Sequence, residues 1–160
     1  MINPIYQGET AVIIGTGPSL TFRQLEQTKH LRKFGANRAF EFDVDVLHGC
    51  NYQFWDHYWP KVKDLRCDKW TTRPELEGEY PGLEYIEEVW IDGLSRDPNT
   101  ISAHHGTGPQ LINIAYHYGI TKMILIGWDM RFPGKVDQRN YTEPRHYFGE
   151  DDLTKTHWPR

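Results

Sequence analysis

Apolar residues fall into short blocks with regular spacing. Ala11-Val12-Ile13-Ile14 is wholly apolar, mostly β-branched and stopped by Gly15. Such a run predicts a strand buried on both faces, as in a parallel sheet. Met123-Ile124-Leu125-Ile126, ended by Gly127, predicts a second, and Val44 to Leu47 a weaker third. The intervening stretches have helical spacing. Leu20, Leu25, Thr28 and Leu31 mark a helix over Leu20 to Lys33. From Gln53 to Trp59, Phe54 pairs with Tyr58 and Trp55 with Trp59 at i,i+4, and Pro60 then kinks the helix or opens a new segment. Leu111, Ala115 and Tyr118 share one face of Pro109 to Tyr118, with Gly119 as the stop. Cys67 to Thr72 and Leu83 to Ile91 add two further candidate strands. Alternating strands and helices predict an α/β fold, a Rossmann-like three-layer sandwich with a mainly parallel central sheet.

The pattern divides the chain at residue 130. From Arg131 to Arg160 the only aliphatic or Met side chains are Val136 and Leu153. The expectation is a nucleotide-binding Rossmann-like domain over 1–130. Residues 131–160 then form an aliphatic-poor flap or tail, ordered by aromatics, polar contacts and ligand, or partly disordered.

One motif occurs twice. Gly15-Thr16-Gly17-Pro18 follows the first strand, and Gly106-Thr107-Gly108-Pro109 opens the third helix. Glycines permit a tight turn and close backbone approach, and proline suits a helix start. Exposed amides at the positive end of a helix then attract an anion, and Ser19 adds a hydroxyl. Each is either a phosphate contact or simply a well-made helix start. The first lies at the carboxyl end of a buried parallel strand, where open α/β sheets bind ligands. It is a poor dinucleotide fingerprint. Leu20 stands where the third glycine should be, no Gly-Lys-Ser/Thr follows, and Asn37 replaces a ribose-binding acid.

Composition excludes more than it assigns. The 160 residues carry 18 Lys plus Arg against 22 Asp plus Glu, a formal charge of −4, without a basic block. That makes a poor nucleic-acid binder. No apolar run approaches the roughly 20 residues of a bilayer span. Met1 to Gly8 has no signal-peptide pattern, and Cys50 and Cys67 form no metal motif or disulfide framework, so a reducing, cytoplasmic compartment is expected. Aromatics are abundant at 14%. Four of them crowd Phe54 to Trp59, more than one buried stripe needs, so part of that surface either faces core or meets a ring, a partner or a second copy of the chain.

Several side chains could carry chemistry. Asp43 and Asp45 have a spacing that can hold a divalent ion, and equally fit a solvated turn. His104-His105 points to opposite faces of an extended chain, poor geometry for a shared metal, and no residue is assigned to one. Asp129 ends the last apolar strand, where it lies at the ligand edge or caps loop amides. Arg131 could meet a phosphate bidentately. Arg145 to Glu150 groups a cation, His146 and Glu150, the usual acid–base types near neutral pH.

Together these blocks resemble a family. Val12 to Leu20 is similar to the Gly-Asn-Gly-Pro-Ser-Leu opening of bacterial CMP-sialic-acid-dependent sialyltransferases. It also resembles the related motility-associated flagellin glycosyltransferases and archaeal hydroxymethylpterin pyrophosphokinases. Phe34 to Phe40 resembles their second strand, whose Asn contacts the nucleotide. Gly106 to Asp129 resembles their second block, and His146 to Gly149 the stretch near the catalytic base. Short phage-encoded proteins share this order, and the resemblance spans about two-thirds of the chain. It implies a nucleotide-binding transferase, a metal-independent glycosyltransferase with a nucleotide-activated, CMP-type sugar as substrate and no tightly bound cofactor. Gly15, Thr16, Gly17, Ser19 and Asn37 would hold the nucleotide, with Thr107 and Gly108 closing over it. Arg131 stands where the family has a phosphate-stabilising Tyr, and Glu150 where it has the catalytic His. Those positions imply that Arg131 offsets charge on the leaving phosphate and that His146 or Glu150 acts as base, beside Asp129. The alternatives are a Mg²⁺-dependent pyrophosphokinase using ATP and a non-catalytic nucleotide- or partner-binding module.

Overall fold

A computed structural model describes residues 1–103 and 106–129. Its centre is a six-stranded, all-parallel sheet in the order β5-β4-β3-β2-β1-β8. The strands are β1 (Thr10–Ile14), β2 (Arg32–Ala36), β3 (Val46–His48), β4 (Asp68–Thr71), β5 (Leu83–Tyr85) and β8 (Lys122–Ile126). The chain steps outward from β1 to β5, then returns to add β8 on the other side of β1. β6 (Glu87–Val89) and β7 (Thr100–Ser102) form a separate parallel pair. Helices α1 (Phe22–Thr28), α2 (Tyr52–Val62) and α3 (Thr107–His117) cover the sheet. The Rossmann-like α/β expectation is therefore met.

Strand alternation explains the two cores. Ala11 and Ile13 face one side, with Phe34, Val46, Trp70 and the α3 residues Leu111, Ile114 and Ala115. Val12 and Ile14 face the other, with Leu47 and the α2 residues Phe54, Trp55, Tyr58 and Val62. Both sets are buried, as a strand with helices on both faces demands. The aromatic cluster of α2 is thus core, apart from half-buried Trp59. Each such side chain contributes about 1.5–3 kcal/mol on burial.

The boundaries differ from expectation in instructive ways. The helix expected to reach Lys33 ends at Thr28, whose hydroxyl turns back to the carbonyls of Gln24 and Leu25. Arg32 and Lys33 instead open β2, a strand start disguised by charge. The third apolar run lies two residues later, at Val46–His48. Pro60 opens no new segment: α2 continues past it, with Lys63 N–H donating to the Trp59 carbonyl. Leu83 to Ile91 is two strands in two sheets, and three-residue β7 carries too little pattern to be read. It is tied to α3 by buried Asn113, whose Oδ1 accepts from the Ser95 and Ser102 amides and whose Nδ2 donates to the Ser95 carbonyl.

Candidate functional site

The β1–β8 junction is where strand order reverses, so the loops after these strands flank the ligand crevice of an open α/β sheet. Their pairing continues beyond the strands. Gly15 N–H donates to the Ile126 carbonyl and Gly17 N–H to the Gly127 carbonyl, both at 2.9 Å. Gly127 takes φ +68°, a left-handed conformation that only glycine adopts freely. The chain then presents Trp128 and Asp129 to the first glycine turn.

This turn is closed by contacts from within the protein. The backbone N–H and hydroxyl of Ser19 both donate to Asp129 Oδ2, at 3.2 and 2.9 Å. A Cβ at Gly17 would lie 1.9 Å from that oxygen, and one at Gly15 would lie 2.5 Å from the Gly127 carbonyl oxygen. Close approach therefore requires both glycines. Pro18 is not a first helical residue. The helix begins at Phe22, four residues on, behind a capping box in which Thr21 accepts from the Gln24 amide and the Gln24 side chain accepts from Thr21. Ser19 is not in the first turn of a helix, and the turn draws no field from a helix end.

The second glycine turn is a true helix start. Gly106 is the N-cap of α3 and Thr107 its first residue. The Thr107 hydroxyl lies 3.0 Å from Cys50 Sγ and donates to Asn37 Oδ1 at 3.5 Å. Asn37 follows β2 with φ 51°, the left-handed conformation in which asparagine is well represented. A Cβ at Gly108 would press on the Trp128 ring, 2.9 Å from Cη2. Trp128 is held by its indole N–H, which donates to the Ile13 carbonyl at 3.0 Å.

Beneath this end lies a polar chain that sequence reasoning missed. Buried His48 bridges the Trp70 carbonyl, 3.0 Å from Nδ1, and Gln110 Oε1, 2.9 Å from Nε2. Gln110 Nε2 donates to Glu88 Oε1 at 2.7 Å. Burial pushes the His48 imidazole below its ordinary range, outweighing the bonds to Gln110 and Trp70 that favour its charged form. Exposed Arg73 donates from Nε to the Cys50 carbonyl at 2.6 Å. Next to it, the Thr72 hydroxyl is buried without a partner among the described residues. One signal was available: His48 ends β3, and Cys50, Thr72 and Arg73 closely follow β3 or β4.

The predicted residues thus divide. Gly15, Thr16, Gly17, Ser19, Asn37, Thr107, Gly108 and Asp129 come from four chain segments to the carboxyl edge of the sheet. Arg131, His146 and Glu150, with the flap over 131–160 and the His104-His105 pair, lie outside the described residues. Asp43 and Asp45 are at the opposite, amino edge. Asp45 accepts from the Lys33 amide and pairs with Arg32, and Lys33 Nζ stands 3.6 Å from Asp43. They line an open cleft of about 700 Å³ with Glu9, Lys29, His30 and Arg66. Among the described residues no His, Cys, Asp and Glu gather as a metal-binding group, and no helix is long and apolar enough to cross a membrane.

Comparison of the chain with protein-family models, curated proteins and solved structures finds no match.

Proposed function

We propose that this protein is a nucleotide-binding transferase, a glycosyltransferase that uses a CMP-type activated sugar at the carboxyl edge of its sheet. One observation carries the reading: two glycine turns, Asn37 and Asp129 converge from separate segments on the reversal point of a parallel sheet. That is the position at which such sheets take nucleotides. The motif resemblance supplies the reaction class. In this reading Gly15, Thr16, Gly17, Ser19 and Asn37 line the nucleotide, and Thr107 and Gly108 close over it. Arg131 offsets charge on the departing phosphate, and His146 or Glu150 takes the proton of the acceptor hydroxyl.

The test is a thermal-shift screen of CMP, UMP, GDP and ATP, with and without Mg²⁺. A ligand that binds only the folded state raises the unfolding midpoint by mass action. A midpoint rise with CMP that survives EDTA supports the reading. Stabilisation by ATP that requires Mg²⁺ replaces it with the pyrophosphokinase. Binding without turnover of any CMP-sugar replaces it with a non-catalytic nucleotide-binding module.

A further inference from the structure

The first glycine turn has the wrong polarity for a phosphate. Its Gly15 and Gly17 amides are taken by the carbonyls of Ile126 and Gly127. Both donors of Ser19 are taken by Asp129, and Pro18 has no N–H. Beside Thr16, what the turn offers outward is a half-buried carboxylate, which accepts hydrogen bonds and repels anions.

The other end of the crevice is the reverse. Among the described residues Arg73 has no carboxylate partner and the hydroxyl of its neighbour Thr72 is buried and unpartnered, and Thr107 opens α3. Arg73 and Thr107 both touch Cys50, so they belong to one cluster. Trp128 lies between the two glycine turns. A Cβ at Gly15 would touch its Cδ1, and one at Gly108 its Cη2, opposite ends of the same indole. An indole's long axis is close to the distance from the 2′,3′-diol to the 5′-phosphate within one nucleotide.

We infer that Asp129 binds the ribose 2′,3′-diol of the nucleotide, and that the phosphate lies across Trp128 at the Thr107–Arg73 end. The inference rests on the nucleotide reading above and fixes the direction in which the ligand lies. A vicinal diol supplies two donors to a carboxylate, whereas a phosphate brings like charge. Ser19 holds the carboxylate in place without neutralising it.

The test uses the full chain and calorimetric titration. The probes are CMP, UMP, GMP and AMP, the 2′,3′-dideoxy form of the tightest binder, and inorganic pyrophosphate. The wild type should bind the dideoxy nucleotide about tenfold more weakly than its parent, the loss of hydrogen bonds to a charged acceptor. Asp129→Ala should bind both forms equally and leave pyrophosphate affinity unchanged. Arg73→Ala should weaken pyrophosphate and spare the diol preference. Equal binding of the two nucleotides by the wild type overturns the inference while leaving the nucleotide reading intact. So does an Asp129→Ala variant that binds pyrophosphate tenfold more tightly, which would put the phosphate at the first turn. If no nucleotide binds, both readings fall. The dideoxy comparison needs no variant, so an Asp129→Ala chain that fails to fold does not remove the test.

Discussion

Two four-residue segments, Gly15-Thr16-Gly17-Pro18 and Gly106-Thr107-Gly108-Pro109, are identical in sequence and opposite in what surrounds them. The first stands clear of its helix and is packed against a carboxylate from the far end of the described chain. The second opens a three-turn helix and points a hydroxyl at Asn37 and Cys50. The difference lies outside both motifs: the first meets Gly127-Trp128-Asp129 along a strand pairing, and the second meets the Cη2 end of an indole, Cys50 and Asn37. A glycine turn sets how closely something can approach. The partner sets whether that something is an internal group or a ligand.

The largest expected effect sharpens the contrast at the glycines. Gly17→Ala would put a methyl group 1.9 Å from Asp129 Oδ2 and 2.7 Å from the Gly127 carbonyl oxygen. The backbone oxygen cannot swing away, so a loss of about 3 kcal/mol is expected in denaturant unfolding, near the upper end of overpacking costs. Gly108→Ala meets only the ring of a half-buried tryptophan and should cost about 1 kcal/mol. Equal costs would mean that the two turns are packed alike.

The next effect separates the ends by pH. Burial lowers the His48 imidazole below its ordinary 6.5, so the unfolded chain binds the proton more readily than the folded one. That stability is fully present above pH 6.5 and is lost as pH falls from there toward the folded value. Buried His117, lowered by burial too, adds in the same sense. Thermal midpoints should therefore fall between pH 7.5 and 5.5, and the fall should shrink in His48→Gln. An unchanged slope would remove His48 from the account.

Smaller again is Asp129→Ala, which frees the Ser19 amide and hydroxyl. Both are near solvent, so the cost to stability should be about 1 kcal/mol by denaturant titration. The smallest is Thr107→Val. It removes a hydroxyl shared between Cys50 and Asn37 and should cost about 0.5 kcal/mol, below the Asp129 effect in the same measurement. The reverse order would make the second turn the more tightly held of the two.

Legibility followed the range over which a feature is determined. β1 was readable because burial on both faces writes four consecutive apolar residues. β8 carries the same apolar run without that burial: it is the edge strand, and Ile124 and Leu125 are exposed among the described residues. β2 was hidden because its first two residues lie at the amino edge, where Arg32 pairs with Glu9 and Asp45 and so shows charge where a strand start was needed. The carboxyl-edge residues were readable once the strands were placed, since whatever follows a parallel strand lands there. The His48–Gln110–Glu88 chain was not. It joins residues 62 and 22 positions apart, and no local pattern records such a pairing. Likewise, Asp129 could be set at the edge from sequence, but its choice of Ser19, 110 positions away, belongs to the folded sheet alone.

That separation bears on the order in which the molecule is assembled. β1 is near the start of the chain, yet its partner β8 begins at Lys122. During synthesis, β1 through β5 and both of their helices can leave the ribosome and pair while β1 still has a bare edge. Closing so long a loop carries a large entropic cost and comes late. The first turn gains its carboxylate only when β8 docks, so on the proposed reading nucleotide binding waits for β8. A nucleotide bound there would hold β8 in place, and it should slow the opening of the β8 edge without hastening the formation of β1 through β5.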